Sequence, residues 1–319
     1  MISCTEFIPL YSEFFKFLDS IGGHDAVLEF WYNLSDNGIG DKTNPHSLAS
    51  FIERSEEGAF AGACNYWKHT LKEEACDVIK IYDYKKKCCH THMRYCPSRG
   101  MLNALKHVEP YYDYCGHCNV IYQRVLEKYG LKFEMDHSKI DNAECYSLLY
   151  EEGHKPTGDC SIIDDTKEVL DMKAEDNKYL HRDFHLIGDM ALKYCGETFG
   201  DSVVIDFLTS YTKNYYAPQI EQIQSCGLSA LKEWIENLYT IEEASEVLHT
   251  KLDEDGLTVI IDKSPVIEYM HSLNQEPSKY YIEETRTLYK VVAEACGFVF
   301  SLDYYNEDGG TKFHFHLAT

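Results

Sequence analysis

The residues from Cys96-Pro97 to Leu148 and those from Ser264-Pro265 to Leu317 follow one pattern. Glu109-Pro110 matches Glu276-Pro277, Tyr122 matches Tyr289, Gly130 matches Gly297 and Phe133 matches Phe300, all at a spacing of 167 residues. Trp67 and Trp234 stand in the same frame. A chain that repeats itself in this way is constrained to fold twice, each copy burying its own core. At 319 residues both copies have ordinary domain size. The reactive residues are not repeated. Cys96, Cys115, His117 and Cys118 face Ser264, Ile282, Glu284 and Thr285 in the second copy. Where the second copy reads His181-Arg-Asp183-Phe-His185, the first offers Cys4-Thr-Glu6-Phe-Ile8. Like scaffolds with unlike side chains suggest one composite site in a pocket between the copies.

Within each copy the apolar spacing predicts helices followed by an antiparallel sheet. In the first, helices are expected over 10–17, 25–32 and 47–72, then a hairpin of strands over 76–84 and 87–95. A short helix starts at Pro97, and a long one runs from Pro110 to Tyr129, where Gly130 supplies a C-terminal stop. Strands over 131–136 and 143–150 complete a four-stranded sheet. The second copy predicts helices over 181–199, 202–214 and 218–238, strands over 245–252 and 257–263, a helix over 277–295, and strands over 298–304 and 312–317. The expected fold class is therefore α+β. It comprises two pseudo-repeated modules, each a helical segment plus a four-stranded antiparallel sheet crossed by a long helix. Their bounds are 1–150 and 179–319, and the Gly-, Pro-, Asp-, Glu- and Lys-rich stretch 151–178 reads as the linker.

A net charge of −23 argues against nucleic acid or an anionic membrane as partner, because either would be repelled at long range. No apolar run has the length needed to cross a bilayer, and the first residues lack the basic start and cleavage site of an export signal. A cytoplasmic protein is the default, with a small molecule as partner and room for a homo-oligomer. Of thirteen cysteines, ten precede residue 161. An odd count and the adjacent Cys88-Cys89 speak against a disulfide framework. Metal ligands, reactive thiols or buried apolar fillers are the alternatives.

Two stretches could carry chemistry. Cys115-Gly-His117-Cys118 can offer two thiolates and an imidazole to one metal ion, with Cys96 as a third thiolate; buried structural thiols or a redox pair remain open. In His181-Arg182-Asp183-Phe-His185 the two imidazoles are four residues apart and so share a helix face, the spacing at which paired histidines hold metals. The candidate ligands are thus His181, His185, Cys96, Cys115, His117 and Cys118. Asp183 or Glu284 could act as general base, and Tyr114, Tyr281 and Arg182 could bind substrate. Thiolates would favour zinc, whereas histidines with carboxylates would leave manganese or iron open. In the strand Cys88–Tyr95, Cys88, His90, His92 and Arg94 share a face that could line a pocket but is expected to meet solvent, opposite Cys89, Thr91, Met93 and Tyr95. No phosphate loop, dinucleotide fingerprint or nucleophile elbow occurs.

The set Cys96-Pro97, Cys115/Cys118, Gly130-Leu131-x-Phe133 and Cys145 resembles the L-2-amino-thiazoline-4-carboxylate hydrolase-like family. That family is in turn similar to vinyl-reductase-type and haem-NO-binding small-molecule domains. The resemblance covers about one sheet module per half. It implies a hydrolase opening a small sulfur- and nitrogen-containing ring in a compact pocket. Asn119 stands where that pattern leads one to expect an acidic residue, and the second half lacks the cysteines, so the substrate does not transfer. The leading expectation is a metal-dependent hydrolase or lyase acting on such a metabolite. The alternative is a non-catalytic small-molecule or metal-binding sensor, or a protein whose Cys-rich zinc site is structural.

Overall fold

The computed structural model describes residues 1–156, 167–173 and 179–317. Most of the expected linker, with Cys160, lies outside the described residues. The chain is α+β, with eleven α-helices and two antiparallel sheets among the described residues. It divides into two compact units, Leu18–His181 and Met1–Phe17 with Arg182–Thr319. Met1–Phe17 therefore folds with the C-terminal half of the chain, a different grouping from the contiguous 1–150 and 179–319 modules expected. Helix α1 (Phe7–Asn37) runs through that division and is interrupted at Gly23, whose φ of 71° and ψ of −178° leave helical space.

The Leu18–His181 unit continues with α2 (Leu48–Glu53) and α3 (Ala59–Thr70), two helices where the apolar period suggested one. Gly58 breaks the run at φ 94°, and a Cβ on Gly62 would sit 2.6 Å from Ile52 Cα, so only glycine permits this approach of α3 to α2. Strands β1 (Asp77–Asp83) and β2 (Cys88–Tyr95) form the hairpin, followed by α4 (Pro97–Ala104) and α5 (Gly116–Glu127). The latter starts six residues after Pro110, because Tyr111–Cys115 is spent on turns closed by Tyr114 N–H to Tyr111 O and Gly116 N–H to Asp113 O, both 3.0 Å. Strands β3 (Leu131–Asp136), β4 (Cys145–Glu151) and β5 (Glu168–Lys173) complete a sheet of order β3-β4-β2-β1-β5. This sheet has five strands rather than four. Its edge strand β5 comes from the stretch read as linker, where Glu168–Lys173 pairs with β1 and Asp171 takes an ion pair of 2.6 Å from Arg94.

The other unit contains α6 (Asp183–Phe199), α7 (Asp201–Tyr215), α8 (Ala217–Cys226) and α9 (Leu228–Ile241). The last two replace one expected helix, and Gly227 at φ 73° is the break. Strands β6 (Leu248–Asp253) and β7 (Gly256–Ile261) lead to α10 (Pro265–Ser272) and α11 (Glu283–Cys296), then β8 (Phe298–Tyr305) and β9 (Thr311–Leu317). The sheet order is β6-β7-β9-β8. Helix α11 begins after Pro277 because Asp189 of α6 captures Ser278, accepting from its N–H at 2.8 Å and its hydroxyl at 2.6 Å.

The units share more than connection order. Trp67, Tyr122 and Phe133 meet in one core, with Trp67 stacked on Phe133 at 5.4 Å and Tyr122 at 5.7 Å from Phe133. Trp234, Tyr289 and Phe300 meet in the other, at 5.9 Å and 6.3 Å around Tyr289. Cys96 caps α4 by accepting from Arg99 N–H at 3.5 Å, and Ser264 caps α10 by accepting from Ile267 N–H at 3.3 Å. Gly130 and Gly297 end α5 and α11 at φ 70° and 74°. No described helix is long and apolar enough to cross a membrane.

Candidate metal centre

In the unit formed by Met1–Phe17 and Arg182–Thr319, three potential ligands converge. The segment Met1–Cys4 is buried, and the Cys4 N–H donates to Glu242 Oε1 at 2.5 Å. The second oxygen of Glu242 lies 3.0 Å from Nε2 of His185. Glu242 follows the last turn of α9, and His185 stands in the first turn of α6. One ligand atom from each of Cys4, His185 and Glu242 falls within 4.8 Å of the others. All three residues are buried, at 0%, 6% and 2% exposure.

The electrostatics suit a shared cation or proton. Burial works against the charge of Glu242, yet the His185 imidazole and the Cys4 N–H hold its carboxyl below the usual range. Burial and the nearby Glu242 push the Cys4 thiol up. Glu284, in the first turn of α11, is also buried, and desolvation raises its carboxyl to about 7. It feels His185 and Asp189 electrostatically, so it belongs to the same charged interior. Glu6 is raised by burial as well, although Ser3 donates to it from its N–H at 2.9 Å and its hydroxyl at 3.0 Å.

The remaining expected site residues are placed as follows. His181 belongs to the other unit, where its Nδ1 lies 2.7 Å from Glu73 Oε2. Arg182 donates to the Glu242 carbonyl at 3.2 Å and pairs with Glu243 at 3.7 Å. Asp183 accepts from the Tyr269 hydroxyl at 2.6 Å. Tyr281 is buried and engages Ser264, and Tyr114 is buried with its ring edge-on to His117 at 4.9 Å. His117 Nδ1 donates to the Tyr114 carbonyl, while its Nε2 lies 3.3 Å from the Cys118 sulfur. Cys115 immediately precedes α5 and Cys96 is the cap of α4. Burial pushes the thiols of Cys96, Cys115 and Cys118 up, and that of Cys145 to about 12. Among the described residues, no three ligand atoms drawn from Cys96, Cys115, His117 and Cys118 lie within 4.8 Å of one another. All described cysteines are free thiols.

Sequence reasoning missed Glu73, Glu242 and Cys4 as partners of the two histidines. A signal existed. Thr70-Leu-Lys-Glu73-Glu74-Ala75 and Thr240-Ile-Glu242-Glu243-Ala244 end corresponding helices, and the first glutamate of each pair meets a histidine. The histidines of the His-x-x-x-His stretch thus take one acid each.

No protein-family profile matches the chain, and no curated protein sequence or solved structure matches it either.

Proposed function

We propose that the chain is a metal-dependent hydrolase whose ion, zinc by donor chemistry, is held by Cys4, His185 and Glu242. The observation that carries this reading is the convergence of one sulfur, one nitrogen and one oxygen within 4.8 Å in a buried setting. Ligand-to-ligand edges of a tetrahedral zinc site are about 3.3–3.7 Å, given bonds of about 2.0–2.3 Å, so the side chains need only close slightly on an ion. Three protein ligands leave a fourth position for water or substrate, the hallmark of a catalytic rather than a purely structural site. A bound divalent ion would polarise a carbon–nitrogen bond and acidify a water. Glu284, with its carboxyl near 7, takes up or releases a proton at neutral pH, as a general base must. A small sulfur- and nitrogen-containing substrate is the class implied by the short motifs around Cys96, Cys115 and Cys145. The shared connection order, aromatic triads and helix caps further support descent of both units from one duplicated module.

Zinc titration of metal-free protein tests the centre. The expected result is one zinc per chain, lost in His185→Ala and in Cys4→Ser and kept in Cys115→Ser. Uptake that survives His185→Ala, or that fails only in Cys115→Ser, would transfer the centre to the cysteine-rich unit and overturn the assignment. Hydrolysis of a panel of thiazolines and cyclic amidines tests the base. Glu284→Gln should keep its zinc while losing turnover and the rising limb of the pH–rate profile near pH 7.

A further inference from the structure

We propose that Cys118, with His117 as its general base, is a covalent modification site for small uncharged α,β-unsaturated carbonyl compounds. Both residues lie in the first turn of α5 within the Leu18–His181 unit, and both are half-buried. The Cys118 sulfur lies 3.3 Å from Nε2 of His117. Nδ1 of the same ring donates to the Tyr114 carbonyl, which can only accept. Nε2 is therefore left as the acceptor, and the Cys118 S–H is its donor. Two aromatic side chains of the same unit flank the ring, Tyr114 edge-on at 4.9 Å and Trp31 of α1 at 6.4 Å. A nucleophile within hydrogen-bond reach of a base, with the base oriented by a third group, is the arrangement that activates a cysteine.

The neighbouring thiols are not held in this way. Cys96 accepts from the Arg99 N–H at 3.5 Å, while Cys76 and Cys89 donate to the carbonyls of Leu71 and His90 at 3.4 and 3.8 Å. Among the described residues of this unit, no other thiol bonds to an imidazole. The fold does not demand the pair either. Glu284 and Thr285 stand 167 residues after His117 and Cys118 and fill the same second and third positions of α11. Each unit thus carries a proton acceptor at the second position of its helix, an imidazole in one and a carboxyl group in the other. Only the Leu18–His181 unit sets a thiol beside it.

Burial keeps the pair as a neutral thiol and a neutral imidazole, so the proton moves during the attack and not before it. The Cys118 sulfur bonds to the β-carbon of the unsaturated carbonyl compound as the S–H proton passes to Nε2. The electron pair of the carbon–carbon double bond shifts towards the carbonyl, giving an enolate. The imidazolium then returns its proton to the α-carbon, and the ring regains its starting tautomer. The sum is addition of S–H across one double bond, with no leaving group and no further reactant. An imidazole with its pKa lowered to about 4 returns that proton readily. The net charge of −23 repels anionic reagents, which leaves uncharged ones as the class that reaches the site.

Peptide mapping of the full-length protein after timed exposure to N-ethylmaleimide, an uncharged reagent of this class, tests the proposal. Cys115 and Cys145, half-buried but without an imidazole partner, and exposed Cys226 are the internal references. Cys118 should label faster than Cys115 and Cys145 by about tenfold or more, the low end of what a positioned base contributes. Because its S–H bond breaks during the attack, Cys118 labelling should slow in D2O by a larger factor than that of Cys226. In His117→Gln the Cys118 rate should fall by about tenfold or more relative to Cys226. Labelling of wild-type Cys118 no faster than that of Cys115 would overturn the proposal. So would an unchanged or faster Cys118 rate in His117→Gln protein whose circular dichroism matches the wild type.

Discussion

His117 is held as a neutral imidazole. Burial lowers its pKa to about 4, and its Nδ1–H is spent on the Tyr114 carbonyl. In the unfolded chain the ring protonates near its ordinary value, so the folded state binds fewer protons between pH 6.5 and about 4. The contribution is therefore complete above pH 6.5 and is lost as pH falls through that window. Between pH 7 and pH 5 the wild type should lose about 1–2 kcal/mol from this group alone, at about 1.4 kcal/mol per pH unit. His117→Gln, compared by urea unfolding at both pH values, should cost stability at pH 7 but lose less on acidification. An equal acid loss in the variant would mean that the imidazole is not kept neutral. Individual chemistry-bearing residues were legible here only as types. The sequence names His181 and His185 as a pair on one helix face, yet α6 begins at Asp183, so His181 precedes it, and Glu73 and Glu242, 108 and 57 positions away, take one each. Spacing along a helix reports which side chains share a face, not which distant acid faces them.

Helix α4 and helix α10 differ at their first residue in a way that can be measured. Both start with Pro at the first turn behind a capping side chain, but one cap is a thiol and the other a hydroxyl. A sulfur accepts hydrogen bonds weakly, and its reach to Arg99 N–H is 3.5 Å against 3.3 Å for Ser264 to Ile267. Cys96→Ser should therefore raise stability by about 0.5–1 kcal/mol, the ordinary scale of a helix N-cap. Thermal unfolding checks it, and Ser264→Cys should show the opposite sign. A fall in stability for Cys96→Ser would assign the thiol a partner beyond the cap. At this level the sequence was mostly readable, since the strands of both hairpins and the glycine stops after α5 and α11 fall where period and turn chemistry place them. The errors have local causes. Gly58 and Gly227 each split a long apolar period, because a helix break at a positive-φ glycine leaves the period on either side intact. Strand β5 escaped notice because its Glu168–Lys173 face is largely exposed, so burial did not impose a strong alternation.

The division of the chain is set by which core the first helix fills. Phe7 contacts Phe184 at 4.5 Å, and Phe14 contacts Phe207 at 4.9 Å, so Met1–Phe17 completes the core that Arg182–Thr319 would otherwise leave open. Sequence could not decide this. Cys4-Thr-Glu6-Phe7 and His181-Arg-Asp183-Phe184 are alike, and an amphipathic period says that a face is buried without saying against what. The matched Trp, Tyr and Phe positions were legible because each set meets in the core of its own unit. A single truncation tests the assignment of the first helix. Phe14 is fully buried, and Phe14→Ala should cost about 3–5 kcal/mol through lost contact and the cavity left behind. Hydrogen exchange should place that loss in the amides of α6, α7 and α11, with protection of β1–β4 in the Leu18–His181 unit unchanged. Zinc affinity should weaken in parallel, because Cys4 precedes the same helix and depends on its docking to reach Glu242. Equal loss of protection in both sheets would show that Met1–Phe17 does not belong to one unit's core, and the grouping of Cys4 with His185 would fall with it.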